Sequence, residues 1–410
     1  MHILFLTDNF PPEGNAPATR TYEHSREWVK KGHKVTVITG APNFPEGKVF
    51  NGYTNSWFSS EYLDGIEVRR VKTYITSNEG FIGRVIDFMS FMVTSFVAGF
   101  FVSKPDVIIG TSPQLFTVVG AWLLSVFRRK PFVFELRDIW PASITAVGAM
   151  KKSFAIRILE KLELFLYHRA DKIISVTNSF KRELDRRGVN SDKINVVLNG
   201  VDLSKYKPAV CKDVELVNRF SLQGKFIVGY IGTHGLAHRL DTIVDAAELL
   251  KDEVKIQIVL AGGGADRVRI ENLVAFRGLK NISFLPRQPK EMMPRLWSIC
   301  DVSLVTLKDT PLFETVIPSK IFESMGMGLP IIMSVPSGEA SEIILNSSSG
   351  ILVPPESPEA IAHSIRDLYS NPGKCAELAE NSYKASANYD RKILANDMLN
   401  FICQLFAKGK

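Results

Sequence analysis

Short runs of Val, Ile, Leu and Phe recur along the chain, separated by longer segments whose apolar residues fall at helical spacing. Apolar runs without polar alternation suit strands buried on both faces of a sheet, and helix-length segments between them suit the crossovers that parallel strands need. In the first half the pattern predicts strands at HILFLT, KVTVIT, IEVRRV, DVIIG, PFVFEL, KIISVT and INVVL, with helices over 18–31, 84–102, 153–168 and 179–187. A polar stretch over 203–225 interrupts the rhythm and reads as a linker. The alternation resumes at KFIVGYIG, KIQIVLAG, NISFLP, DVSLV, PIIMS and GILVP. A chain of 410 residues exceeds the roughly 250–300 that one core fills. Two doubly wound α/β domains are therefore expected, 1–202 and 203–387, with a final helical segment, 388–410, free to pack back on the first.

Hydrophobic content of 45% with 23% charged residues excludes a disordered or fibrous chain. Cys211, Cys300, Cys375 and Cys403 show no paired spacing and read as reduced thiols. MHILFLTD reads as a first strand rather than a secretion leader, so a cytoplasmic location is expected. The net charge of +7 is one-sided: the first 200 residues hold 26 Lys+Arg against 19 Asp+Glu, and the rest hold 24 of each. The basic half should face an anionic partner such as a lipid surface or a pyrophosphate. Nucleic acid is not expected, because no basic stripe interleaved with aromatics is present.

Two apolar segments bear on the membrane. Residues 88–102 carry no charge over 15 positions, about 22 Å of helix against a hydrocarbon core of about 30 Å. Residues 115–127 are also uncharged and run into Arg128, Arg129 and Lys130. Both fit helices lying on the inner membrane face beside anionic headgroups; helices buried against the sheet are the alternative.

The candidate chemistry concentrates in FETVIPSKIFESMGMGLPII, residues 313–332. Pro318 presets a helix start, which leaves the N–H groups of Ser319 and Lys320 facing an anion, and Lys320 adds a full charge at the same point. This makes a seat for a pyrophosphate. Glu323, one turn on, can accept from two ribose hydroxyls, and Glu314 precedes the helix on a loop that could reach a sugar. A second phosphate element, YIGTHGLAHRLD over 230–241, follows a strand: Gly232 permits close backbone approach, with His234 beside it and His238 and Arg239 able to reach a phosphate. AGGGADR (261–267) and Pro286-Arg287 end two further strands.

Glu323-Ser-Met-Gly-Met-Gly-Leu-Pro330 resembles the second half of the hallmark of family-four retaining glycosyltransferases of GT-B fold. In that family two Glu are separated by seven residues. Glu314 and Glu323 have eight between them, and Thr315 stands where the family's first Glu would be. The resemblance implies two facing Rossmann-like domains with an interdomain cleft, a UDP-sugar donor in the second domain, no cofactor and no metal, and transfer with retention of configuration. It places Thr233 where the family has an Arg, Gly14 in the N-terminal glycine loop, Arg287 near the base, Asp138 near the donor sugar, and Arg137 and Trp140 toward the acceptor. Lys320, Glu314 and Asp138 become the candidate catalytic residues. ELRDIWP, IPSKIFE and GTHGLAH look closest to bacterial transferases that add N-acetylated 6-deoxy sugars, such as N-acetyl-L-fucosamine, to polyprenyl-pyrophosphate-linked saccharides in O-antigen or capsule assembly. A nucleotide-sugar epimerase of the same shape, or a non-catalytic membrane scaffold, are the competing readings.

Overall fold

Eight strands of the first half share one sheet: β1 (His2–Leu6), β2 (Lys34–Gly40), β3 (Phe58–Leu63), β4 (Ile66–Val71), β5 (Val107–Thr111), β6 (Phe132–Leu136), β7 (Lys172–Ser175) and β8 (Ile194–Val196). Their order is β3-β4-β2-β1-β5-β6-β7-β8. All neighbours are parallel except β3, which is antiparallel to β4. The computed structural model describes residues 1–44, 46–76, 81–140 and 154–407. Within a strand, successive side chains enter opposite cores. Ile3 and Phe5 join Val35, Val107 and Trp28 on one side, while Leu4 and Leu6 join Ile108, Phe132 and Phe134 on the other. This two-sided burial is why the strands read as unbroken apolar runs.

Strand β3 was absent from the sequence pattern because FSSEYL is half polar and lies at the sheet edge. Its turn, Asp64-Gly65, has positive φ at both residues (48° and 81°), the twist that a two-residue hairpin demands.

The chain divides into a unit of Met1–Leu198 with Arg391–Lys410, and a unit of Asn199–Asp390. The first ends four residues before the boundary read from the sequence. Val201 bridges Asp390 and donates to Tyr389 O at 3.0 Å, which ties this segment to the second unit. The final helix, Arg391–Ala407, lies on the helix Ala16–Lys30. There Trp28 Nε1 donates to Ala395 O at 2.8 Å, and Arg391 pairs with Glu23 at 2.7 Å.

In the second unit, β9 (Phe226–Thr233), β10 (Ile256–Gly263), β11 (Ile282–Leu285), β12 (Val302–Thr306), β13 (Ile331–Ser334) and β14 (Gly350–Val353) form a parallel sheet, ordered β11-β10-β9-β12-β13-β14. The stretch read as a linker contains a short helix, Val214–Arg219, capped by Asp213. Arg295 pairs with Asp213 and Glu215, and Lys212 with Asp301, so this segment is docked rather than free.

The helix Phe81–Phe100 is 20 residues long, five more than the uncharged run, because Arg84 and Asp87 fall in its first turns. Among the described residues it is the one helix long and apolar enough to cross a membrane, by length and composition alone. One side packs against the helix Leu115–Arg128 and strands β2 and β4. Ile86, Met89, Val93, Val97 and Phe100 stand exposed at intervals of three and four, a single apolar stripe.

Candidate functional site

The carboxyl ends of β9, β10 and β12 form the floor of the site in the second unit. In an open α/β sheet this edge is where ligands bind. Gly232, next to last in β9, has a φ of 149°, a conformation that side chains rarely adopt. The loops after β9 and β10 lie against each other: His234 N donates to Gly263 O at 2.9 Å, and Asp266 N to His234 O at 2.9 Å. A Cβ at Gly262 would stand 1.9 Å from Gly232 O, and one at Gly264 2.4 Å from His234 O. The glycines of AGGGADR thus serve close packing of two loops.

Lys320 opens the helix Lys320–Gly326 and is only 8% exposed. Its ammonium sits 3.5 Å from the centroid of the Tyr230 ring. A Cβ at Gly232 would come within 3.0 Å of its Nζ. Nζ has no hydrogen-bond partner. Burial lowers its pKa to about 7, and the carboxylate of Glu323 only partly opposes this. A desolvated ammonium without a counter-ion is costly, so the site is set up to receive an anion. The helix it opens spans seven residues, so the side-chain charge, more than the helix end, provides the attraction.

The two histidines bring no charge. Burial, with Arg267 and Lys320 nearby, lowers His234 to about 4. Burial and Lys320 lower His238 to about 3, against the Thr306 carbonyl 3.4 Å from its Nδ1. Both are neutral near pH 7. Arg239, read from the sequence as a phosphate ligand, is held by Asp241 at 3.3 Å and Glu356 at 3.0 Å. Thr233 is exposed and uncharged. Among the described residues Lys320, at the helix start that the sequence singled out, is therefore the cation here without an ion-pair partner, while the 230–241 loop brings no uncommitted charge.

Glu323 is fixed by two residues that sequence reasoning missed. Lys290 pairs with its Oε1, and Trp297 Nε1 donates to its Oε2 at 3.1 Å. Burial pushes its pKa up, but the Lys290 charge and these hydrogen bonds more than offset that and hold it below the usual carboxylate value. No short-range signal links positions 290, 297 and 323; only the fold brings them together. Ser319 precedes Lys320 at the helix cap. Glu314 is exposed on the turn Pro311–Thr315, where its carbonyl lies 2.0 Å from the position a Cβ would take at Gly338. Arg287 is exposed beyond β11.

In the first unit, Arg137 and Asp138 follow β6, and both backbone N–H groups donate to Ser112 Oγ, at 2.8 and 3.4 Å. Asp138 is partly buried and helps to raise the pKa of Glu163, where burial is the larger cause. Gly14 is exposed in the loop before the helix Ala16–Lys30. Its neighbour Glu13 is buried and accepts from Asn43 N and Phe44 N at 2.8 Å each, bracing that loop. Trp140 does not face solvent as an acceptor platform would. It is 7% exposed and packs in the core with Leu136 and Tyr167. An aromatic this large gains more from burial than from a polar loop.

The sequence of residues 17–205 matches the model of Glycosyltransferase Family 4, and residues 216–385 match that of Glycosyl transferases group 1. The Escherichia coli K12 glycosyl transferase WcaI, named for colanic acid biosynthesis, is 27% identical over 89% of this chain and 91% of its own length. The glycosyltransferase WbjE of Pseudomonas aeruginosa is 26% identical over 65% of this chain and 66% of its own. Among solved structures, Anabaena HepE in complex with UDP superposes with a TM-score of 0.70 at 17% identity, over 98% of this chain and all of that one. Sucrose-phosphate synthase from Thermosynechococcus elongatus superposes over both whole chains with a TM-score of 0.79 at 19% identity. Two family models laid end to end, one over each sheet, and two parallel-sheet units shared with full-length structures identify the chain as a GT-B glycosyltransferase of the group 1 and family 4 type.

Proposed function

We propose that the second unit holds the diphosphate of a UDP-sugar on Lys320, and that the chain transfers the sugar to a saccharide carried on a polyprenyl diphosphate. The observation that carries this is the buried, unpartnered Lys320 ammonium at the carboxyl edge of the β9 strand. Uridine as the base is supported by the UDP bound to the structurally similar HepE. Assembly of a surface polysaccharide, O-antigen or capsule, is supported by the name of the E. coli relative. An N-acetylated 6-deoxyhexose such as N-acetyl-L-fucosamine rests on the resemblance of ELRDIWP, IPSKIFE and GTHGLAH.

The chemistry follows from where charge develops. As the anomeric bond breaks, negative charge grows on the leaving diphosphate, and a preorganised cation in a desolvated site stabilises it without reorganisation. Glu323, oriented by Lys290 and Trp297, would hold the ribose, while Glu314 would contact the donor sugar. Retention without a metal follows from the family resemblance, with the leaving phosphate taking the acceptor's proton.

The acceptor is a lipid, and the first unit has a face suited to lipid. The apolar stripe of Phe81–Phe100 continues into Phe101, Val126 and Phe127, all more than half exposed. Arg128 donates to the carbonyls of Phe100 and Val102 at 2.9 Å, which places a cation at the rim of that patch. Such a face lies in the headgroup layer rather than crossing the bilayer.

The test is to incubate the full chain with a panel of nucleotide sugars and membranes bearing lipid-linked saccharides, and to weigh the lipid products. One product heavier by a single sugar, formed from a UDP-sugar and lost in Lys320→Met, is the expected result. Turnover of a nucleotide sugar without a lipid product would favour an epimerase and overturn the reading.

A further inference from the structure

Strand β3 forms one edge of the first sheet, and large aromatic rings stand out from it into solvent. Tyr62 is 77% exposed and Phe58 52%, and Trp57, just before the strand, is 74% exposed. Of the five tryptophans, Trp28, Trp140 and Trp297 are buried and Trp122 partly so. Rings of this size gain much from leaving water, so a group of them left exposed marks a surface that meets something.

Strand register puts these rings beside the helix Phe81–Phe100. Phe58 stands opposite Val71 and Tyr62 opposite Glu67. Val71 belongs to the core that this helix covers with Phe91 and Ala98, so Phe58 and Tyr62 point to the same side of the sheet as the helix. Arg69 joins the two features: its guanidinium lies 5.9 Å from the centroid of the Phe58 ring, and its Nη1 donates to Phe101 O at 2.9 Å. Phe101 continues the apolar stripe of the helix. Tyr74, beyond the other end of β4, is exposed and donates its N–H to Ser90 Oγ of the same helix at 2.7 Å. The aromatic edge and the stripe are therefore continuous.

Charge points to the occupant. Arg69 is answered by Glu67 at 2.6 Å. Lys72, exposed and 4.9 Å from the centroid of the Trp57 ring, has no carboxylate partner among the described residues. Trp and Tyr rings with a lysine beside them suit the headgroup layer of a bilayer, where the rings sit at the boundary and the ammonium reaches a lipid phosphate. That layer is hydrated, so the unpaired backbone of an edge strand finds partners there that hydrocarbon would deny it.

We propose that the β3–β4 hairpin enters the headgroup layer edge-on as a second membrane contact, with Trp57 and Tyr62 as aromatic anchors and Lys72 meeting an anionic lipid. The inference rests on the lipid face proposed above and goes beyond it. A single helix stripe leaves the first unit free to roll about the helix axis, and a contact to one side of it fixes that rotation.

The experiment uses the full chain and vesicles of phosphatidylcholine with phosphatidylglycerol, with and without brominated acyl chains. Brominated vesicles should quench Trp57 emission, and Trp57→Phe should lose that quenching while still sedimenting with vesicles. Trp57→Ser combined with Tyr62→Ser should weaken vesicle binding about tenfold. Lys72→Gln should weaken it about fivefold, the worth of one charge near an anionic surface. These side chains are exposed, so every variant should keep the melting temperature and the UDP titration of wild type. Vesicle binding by wild type with Trp57 unquenched, or binding undiminished in the double variant, would overturn the proposal and leave the helix stripe standing. Failure of wild type to bind the vesicles would overturn the lipid face and this contact with it. Dimers that form without lipid and dissociate in the double variant would assign the edge to a second copy of the chain and overturn the proposal as well.

Discussion

Replacing Lys320 with Met should make the second unit more stable and remove its grip on a diphosphate. The lysine's pKa falls from 10.5 to about 7 on folding. A shift of that size corresponds to a cost of about 4–5 kcal/mol for burying the protonated form, taken as an upper value. The face of the Tyr230 ring, 3.5 Å away, returns about 1–2 kcal/mol, leaving about 3. Methionine fills nearly the same space without the charge. The sign follows from linkage. Because the folded pKa is depressed, the unfolded chain binds the extra proton between about pH 7 and 10.5. The penalty is therefore full below pH 7 and fades as pH rises above it. For a unit of this size about 1 kcal/mol moves the midpoint by about 2–4 °C, so Lys320→Met should melt about 6–12 °C higher at pH 6. The gain should shrink by pH 9. Scanning calorimetry at both values reads the stability, and titration with UDP reads the binding. A variant that melts lower at pH 6, or binds UDP like wild type, would refute the reasoning.

The same group sets the pH response of the site. If only protonated Lys320 holds UDP, the competent fraction falls about tenfold between pH 6 and pH 8, and the dissociation constant measured by calorimetry should rise about as much. Gly232→Ala places a methyl 3.0 Å from Nζ at a backbone φ of 149°, and should weaken UDP at least tenfold while the unit still folds by circular dichroism. Asp87, raised to about 7 mainly by burial and opposed by Arg84, is more stable protonated, so it stabilises the fold at low pH and loses that contribution as pH rises through 7. Asp87→Asn should raise the melting temperature most at pH 8, less at pH 5, and leave it unchanged only below the ordinary carboxyl value of 3.8. Phe101→Glu combined with Phe127→Glu alters two exposed side chains and should cut co-sedimentation with anionic vesicles at least tenfold, with the melting temperature unchanged.

The sequence made the doubly wound architecture legible because both faces of each sheet are covered, which leaves strands such as HILFL and FVFEL apolar throughout. The edge strand β3 escaped notice for the opposite reason: with one side in solvent its residues alternate. Lys320 was legible through Pro318 and the glycine-containing segment that follows. What could not be read was how neighbours change a residue's charge. Arg239 meets Glu356, more than a hundred positions away. His238 is neutral because it is buried beside Lys320. Lys290 and Trp297 reach Glu323 only through the fold. Trp140, in a polar stretch of sequence, turned inward to the core. Each depends on tertiary contact, and periodicity carries no information about it.

The most direct measurement is the structure of the full chain bound to UDP. A diphosphate oxygen within about 3 Å of Lys320 Nζ, with the uridine ribose on Glu323, is the expected result. A diphosphate bound elsewhere, with the Lys320 ammonium still resting unpartnered on the Tyr230 ring, would contradict it.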